Sequence, residues 1–442
     1  MLKKNLLRAC LALSFCYLLI SCSGDDDELP QEGRIAVLPK ANQLQPDLVG
    51  QSPTIPTAVV NSDWGQVGGL PFRDIGNIVG PETLQKKWSV DVGTVSSSTY
   101  EAVSQPVISA GQVYVLNADA ELYAVNAETG KILWEKALVP ESEEDVNPRG
   151  GGVAAEGGYI FVTTGMGIIF ALNASDGDIV WQIDNRVPFD AAPTLFDGRL
   201  YVIDRDNRLQ AFDALSGRTL WDYRALPEPA AFPRVASASV VGDVVIAPFT
   251  SGELVAIDAR TAKAAWQRNI VGASLKERSG KFNTIAAHPV ISKRSIFASV
   301  PSGLFVALNG ANGRVLWERE ISAERTPLTA ADTVYAIDTD ARLIAMRKSD
   351  GKIYYITQLP AYEDIEDKED PITWNAPLMI EGKLLLFSDR GYFAKIDAAS
   401  GDIITLSEDM PETAVDASIS NKMVYVLGKN GRLYAYGMDK RI

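Results

Sequence analysis

The stretch PVISAGQVYVLNADAELYAVNAETGKILW, residues 106–134, decides the fold. It reads as four short strands of Val, Ile, Leu and Tyr in alternation, separated by Gly, Asn and Asp pairs that tolerate positive φ in tight turns. It ends on Ala-hydrophobic-Asn-Ala-x-x-Gly-x-hydrophobic-hydrophobic-Trp. That ending recurs as IIFALNASDGDIVW at Trp181, LQAFDALSGRTLW at Trp221, LVAIDARTAKAAW at Trp266 and FVALNGANGRVLW at Trp317.

Trp88, Trp134, Trp181, Trp221, Trp266 and Trp317 follow one another at 46, 47, 40, 45 and 51 residues. A period near 45 built from short strands indicates propeller blades. Two copies in which the Trp has decayed follow, VYAIDTDARLIAMRKSDGKIYY ending at Tyr355 and LLLFSDRGYFAKIDAASGDIIT ending at Thr405. The last copy, MVYVLGKNGRLYAYG, stops at Gly437 without its Trp strand. An orphan Trp strand, Leu84–Val90, stands before the first full repeat and is expected to complete that last blade. The expectation is an all-β, eight-bladed β-propeller of four-stranded antiparallel blades, closed by pairing an N-terminal strand with the C-terminal blade. Closure removes the open sheet edge that would invite aggregation. Two β-sandwiches would not carry one phase of turn and Trp through eight copies. The recurrent tryptophans are expected to fill the wedges between blades and not to form a ligand cage.

The composition excludes several function classes. With 56 acidic against 42 basic residues, the net charge of −14 opposes binding to nucleic acid or anionic lipid headgroups and favours protein partners. The single histidine, His288, cannot build a metal site or a catalytic triad without partners, and a structural role is expected. All three cysteines lie at positions 10, 16 and 22, so a domain beyond them has neither disulfide nor thiolate chemistry. Arg149–Gly152 and Glu156–Gly158 precede strands and open no helix, so they read as turns and close backbone approaches, not phosphate cradles. The acidic run EDIEDKED, residues 363–370, lacks EF-hand spacing and reads as a solvated loop. No catalytic residue, cofactor or metal is expected.

The first residues address the chain. Lys3, Lys4 and Arg8 precede an apolar run from Ala9 to Ile20, the layout of a secretory signal too short to span a bilayer. Leu19-Ile20-Ser21-Cys22 resembles the lipobox of bacterial lipoproteins. The resemblance implies cleavage before Cys22, acylation of that residue and, with two or three acyl chains, effectively permanent anchoring. Ser23 after the cysteine implies sorting to the outer membrane. The expected organisation is a signal peptide over 1–21, a lipidated N-terminus and flexible tether over 22–60, rich in Pro, Asp, Gln and Ser, and the propeller over 61–442.

The repeat resembles the blade motif of the pyrroloquinoline-quinone (PQQ) dehydrogenases, which also have eight blades. Those enzymes carry an adjacent Cys-Cys pair over the cofactor, and this chain has none. Taken whole, lipobox, tether and propeller resemble the BamB family of the outer-membrane β-barrel assembly (BAM) machinery. Asn61–Gly69 (NSDWGQVGG) is similar to that family's segment ahead of the closing strand. Pro248–Leu254 (PFTSGEL) is similar to the fourth-blade strand and turn of its α-proteobacterial branch. The resemblance implies a monomeric, non-enzymatic scaffold on the periplasmic face of the outer membrane, docking on the POTRA domains of a BamA-type barrel subunit and serving unfolded barrel clients. It places the contact in the loop after Trp221, DYRALPEPAAFPRVASASV, with Phe232 as apolar and Arg234 as charged anchor. A second family contact offers an Asp pair, where residues 276–288 carry basic residues and Asn283 instead. A PQQ-dependent dehydrogenase and a surface propeller binding a carbohydrate or peptide are the alternative classes.

Overall fold

A computed structural model describes residues 44–97, 100–101, 104–139, 150–226, 235–270 and 284–438. The described residues contain strands and turns but no α-helix, so no helix among them is long and apolar enough to cross a membrane. Eight antiparallel sheets follow one another along the chain. Blades I to VII begin at their inner strands Val107–Ser109, Gly151–Glu156, Thr194–Phe196, Ser239–Val241, Val290–Ser292, Leu328–Ala330 and Leu378–Ile380. Blade VIII takes its inner three strands from Ser418–Ser420, Met423–Leu427 and Arg432–Gly437, and its outer strand from Gln85–Asp91. The expected closure is therefore present, with Trp88 opposite Ala435.

One local device repeats in all eight blades. The ladder between third and fourth strands slips by one residue beside the Ala–Trp position, as at Ala124/Val125, Ala171/Leu172 and Lys86/Trp88. Such a bulge increases local twist and re-aims a side chain, here turning the Trp toward the next blade. The indole N–H then donates to a carbonyl in that blade's third-to-fourth turn: Trp134 to Ala174 at 3.1 Å, Trp181 to Ala214 at 3.0 Å, Trp221 to Ala259 at 2.8 Å, Trp317 to Lys348 at 2.7 Å. An aromatic on the second strand backs the same ring, such as Tyr201 behind Trp221 at 5.9 Å between centroids. The turn glycine lies flat on the indole. At Gly351 a Cβ would sit 2.5 Å from the Trp317 ring, and φ is +69°. The tryptophans are inter-blade packing, as expected, and Tyr355 keeps the lock through its hydroxyl on Ala398 at 3.0 Å.

Residues 45–60, assigned from composition to the tether, are seated on the propeller, and the compact unit runs from Gln45 to Ile442. The amides of Asp47 and Leu48 both donate to the Ile353 carbonyl, at 2.8 and 3.0 Å. Asp47 pairs with Arg319 at 3.1 Å, and Leu48 is buried in the core shared by blades VI and VII. Anchors this sparse leave no periodicity, so a segment lying along a surface reads like one in solution.

The chain next makes a circuit of the propeller axis. Asn61 O accepts from Asn421 of blade VIII at 2.9 Å, and Trp64 exchanges both backbone hydrogen bonds with Ile108 of blade I at 2.7 and 2.9 Å. Gly65 O accepts from Ala155 of blade II at 2.7 Å. The Gln66 carboxamide bonds both backbone groups of Leu195 in blade III, at 3.1 and 3.3 Å. Pro71 O and Phe72 O take the amides of Val240 and Ile291 in blades IV and V, at 2.8 and 2.9 Å. Asp74 accepts from the Thr329 hydroxyl of blade VI, and Asn77–Ile78 adds a parallel strand to Leu378–Ile380 of blade VII. One segment thus contacts the inner edge of every blade in order and, at all but blade VI, satisfies backbone groups that would otherwise remain unpaired.

Candidate interaction face

Second-to-third turns and blade-to-blade connections crowd one face, and short polar side chains set it. In blade III, Asp204 Oδ1 accepts from the amides of Asp206 and Arg208 at 3.1 and 3.0 Å, and Asn185 donates to its Oδ2 at 3.2 Å. Burial pushes this carboxyl above the usual carboxylate range against those hydrogen bonds. Asn117 and Asp338 do the same for blades I and VI. On the opposite face, the Asn/Asp of the Trp motif caps its turn: Asp213 accepts from Ser216 at 2.9 Å, and Asp258 from Thr261 at 2.8 Å. These hydrogen bonds, led by the Ser216 and Thr261 hydroxyls, hold both carboxyls below their ordinary value. The recurrent carboxylates are thus committed to turns. Among the described residues no group of three or more His, Cys, Asp or Glu side chains is placed to hold a metal ion.

The connection from blade III to blade IV is pinned at both ends. Before it, Asn207, buried at φ +58°, donates to the Leu226 carbonyl at 2.9 Å while its Oδ1 accepts from the Thr250 amide and hydroxyl at 3.1 and 3.0 Å. Leu226 itself is 68% exposed. After it, the Ser237 amide donates to His288 Nδ1 at 2.9 Å, and the Ser237 hydroxyl to Ala192 O at 2.7 Å. His288 is therefore tied to this connection from blade V, a part that its place before Pro289 did not reveal. Phe232 and Arg234 fall between these two anchors but lie outside the described residues, as does Cys22. Of the second expected contact stretch, 276–288, the described part begins at Thr284. The acidic run at 363–370 spans a short exposed hairpin, Tyr362–Asp364 against Glu369–Pro371.

The glycine-rich stretches are close approaches and turns. A Cβ at Gly151 would lie 1.9 Å from the Thr163 carbonyl oxygen, and Gly157 and Gly158 form a hairpin turn at positive φ. The axis is filled by the circuit segment. Trp64 and Arg73 are each 2% exposed, and a cavity beside them has about 30 Å³ of free volume. That space admits one or two waters; a fused-ring cofactor there would have to displace both side chains. The circuit had no sequence signature except the NSDWGQVGG resemblance, because it works mostly through backbone groups that any residue carries.

A family model described as outer membrane protein assembly factor BamB matches residues 77–148 and 141–357. The outer membrane protein assembly factor BamB of Yersinia pestis is 25% identical over 391 residues, covering 86% of this chain and 94% of its own. Among solved structures, BamB from Moraxella catarrhalis superposes with a TM-score of 0.66 at 17% identity, over 80% of this chain and all of that one. The quinohemoprotein alcohol dehydrogenase of Comamonas testosteroni gives 0.64 at 13% identity, over 87% of this chain and 82% of its own, a likeness of fold.

Proposed function

The chain belongs to the family of the outer membrane protein assembly factor BamB, and on that premise we propose that it is a non-enzymatic scaffold of outer-membrane β-barrel assembly, docking on the periplasmic POTRA domains of a BamA-type subunit. The observation that carries the non-enzymatic part is the filled axis: among the described residues Trp64 and Arg73 occupy the centre, and the cavity beside them has about 30 Å³. Recognition then falls to the loops of the outer faces, which a rigid scaffold presents to partners.

Within this reading Phe232 and Arg234 anchor the partner, in a connection whose two ends are held by Asn207 and by Ser237–His288. Aromatic and Arg side chains are the residue types enriched in interface hot spots. Acylation at Cys22 tethers the domain to the outer membrane, facing the periplasm, because two or three acyl chains anchor far more firmly than one.

Co-purification tests the reading. Arg234→Glu and Phe232→Ala are expected to lose the barrel subunit while keeping a wild-type unfolding midpoint, and full recovery of the complex with both variants would overturn the assignment. Cys22→Ser is expected to release the protein from the membrane fraction. Retained quinone absorbance after addition of the quinone and calcium, with dye reduction by an alcohol, would overturn the scaffold reading itself.

A further inference from the structure

We propose that Arg73 holds one inorganic anion of halide size in the axial cavity on the connection face. Arg73 is 2% exposed, and its Nη1 and Nη2 donate to Pro71 O at 2.5 Å and to Thr194 Oγ1 at 3.1 Å. Its buried Nε has no partner, and among the described residues no carboxylate lies within ion-pair distance of the guanidinium. A cation buried without a counter-charge is costly, and burial alone lowers this guanidinium to about 9. The side chain is closely confined. It passes beneath Gly68, where a Cβ would meet Arg73 Cγ at 2.6 Å, and it leaves a backbone held at φ +61°.

Arg73 lines a cavity with Gln105, His288, Thr326 and Asp416. Gln105 is committed: its Oε1 accepts the Gly68 amide at 2.8 Å, and its Nε2 donates to Ala417 O at 2.7 Å. Asp416 Oδ1 accepts the Ala376 amide at 2.9 Å and lies 4.0 Å from Arg325 Nη1. The buried donors left unpaired on this lining are Arg73 Nε and the Trp64 indole N–H. A free volume of about 30 Å³ takes a monatomic ion and excludes an organic acid. The ligand class is a chloride-like anion, serving to fix the circuit segment at the centre of the propeller.

Two measurements on the full chain decide it. Thermal unfolding is followed in sodium chloride and in sodium gluconate at one ionic strength, and crystals grown in bromide are examined for anomalous scattering. The midpoint is expected to rise with chloride and not with gluconate, by a constant step per tenfold increase above half-saturation. An anomalous peak is expected beside Arg73 Nε. Arg73→Met is expected to fold, by far-ultraviolet circular dichroism, and to lose the chloride dependence; should it not fold, Arg73→Lys is expected to keep a weakened one. Equal midpoints in the two salts, or density at Nε without anomalous signal, would overturn the proposal. So would a bromide peak unaccompanied by chloride-dependent unfolding, which marks an adventitious ion only.

Discussion

Trp88 faces Ala435 across the ladder that closes the ring, and its indole N–H reaches the Ala127 carbonyl of blade I at 3.2 Å. The junction made by the two ends of the domain thus uses the same lock as junctions made within the chain. The junction that differs is the one before it. Thr405 stands in the Trp position of blade VII, opposite Lys395, but blade VIII has no third-to-fourth turn to receive an indole, because those strands come from opposite ends of the domain.

The lock and its exception predict opposite responses. Trp181→Ala removes a half-buried indole and its hydrogen bond to Ala214, and is expected to lower stability by about 3 kcal/mol. Thr405→Trp is expected to change stability by less than about 0.5 kcal/mol, since nothing waits to be covered. Urea midpoints at unchanged m-value check both.

Blade IV carries Ala262 where the other turns carry glycine, at φ +60° and with its amide on Asp258 O at 3.0 Å. A Cβ in the left-handed region costs roughly 1 kcal/mol. Ala262→Gly is expected to raise stability by about 0.5–1 kcal/mol despite the extra freedom of glycine in the unfolded chain, read as an upward shift of the unfolding midpoint.

Gln66 joins the circuit segment to blade III by side chain alone, and it is 7% exposed. Gln66→Ala leaves the buried N–H and C=O of Leu195 without these partners, and is expected to cost about 1–3 kcal/mol. Hydrogen exchange should show the Leu195 amide losing protection while the Tyr201 amide, in the blade's second strand, keeps it.

Acid sensitivity follows from the turn carboxylates. Asp213, Asp258 and Asp397 bind protons less readily in the fold than free, through the Ser216 hydroxyl, the Thr261 hydroxyl and Lys383 respectively. A lowered folded-state pKa gives stability that is fully present above the ordinary value of 3.8 and is lost as pH falls below it. Asn already serves this position at Asn126 and Asn309, accepting from the same turn amides. Asp258→Asn is therefore expected to fold normally and to lose less of its thermal midpoint between neutral pH and pH values below 3.8.

The repeat carried the blades, their order, the eightfold count and the closure through Trp88 in plain sight. Each depends on local chemistry: alternation for strands, glycine for left-handed turns, one Trp per junction. The same locality explains Thr405, whose departure marks the one junction without a turn to dock on. The proposed partner contact was legible only by resemblance, since Phe232 and Arg234 sit in a connection with no period. The part of His288 in anchoring that connection depends on Ser237, which belongs to a different blade.

By itself, then, the sequence determined the propeller, because its information repeats at short range and each blade folds by rules its own residues state. Tertiary structure alone decided what occupies the axis. The circuit from Asn61 to Ile78 reaches six of the eight blades through carbonyls and amides common to all residues, and blades III and VI through the Gln66 and Asp74 side chains. Arg73 becomes a buried cation only once Gly68, Pro71 and Thr194 converge on it. Contacts of that range leave no periodicity in a chain, for they are set by where distant edges meet and not by which residues are neighbours.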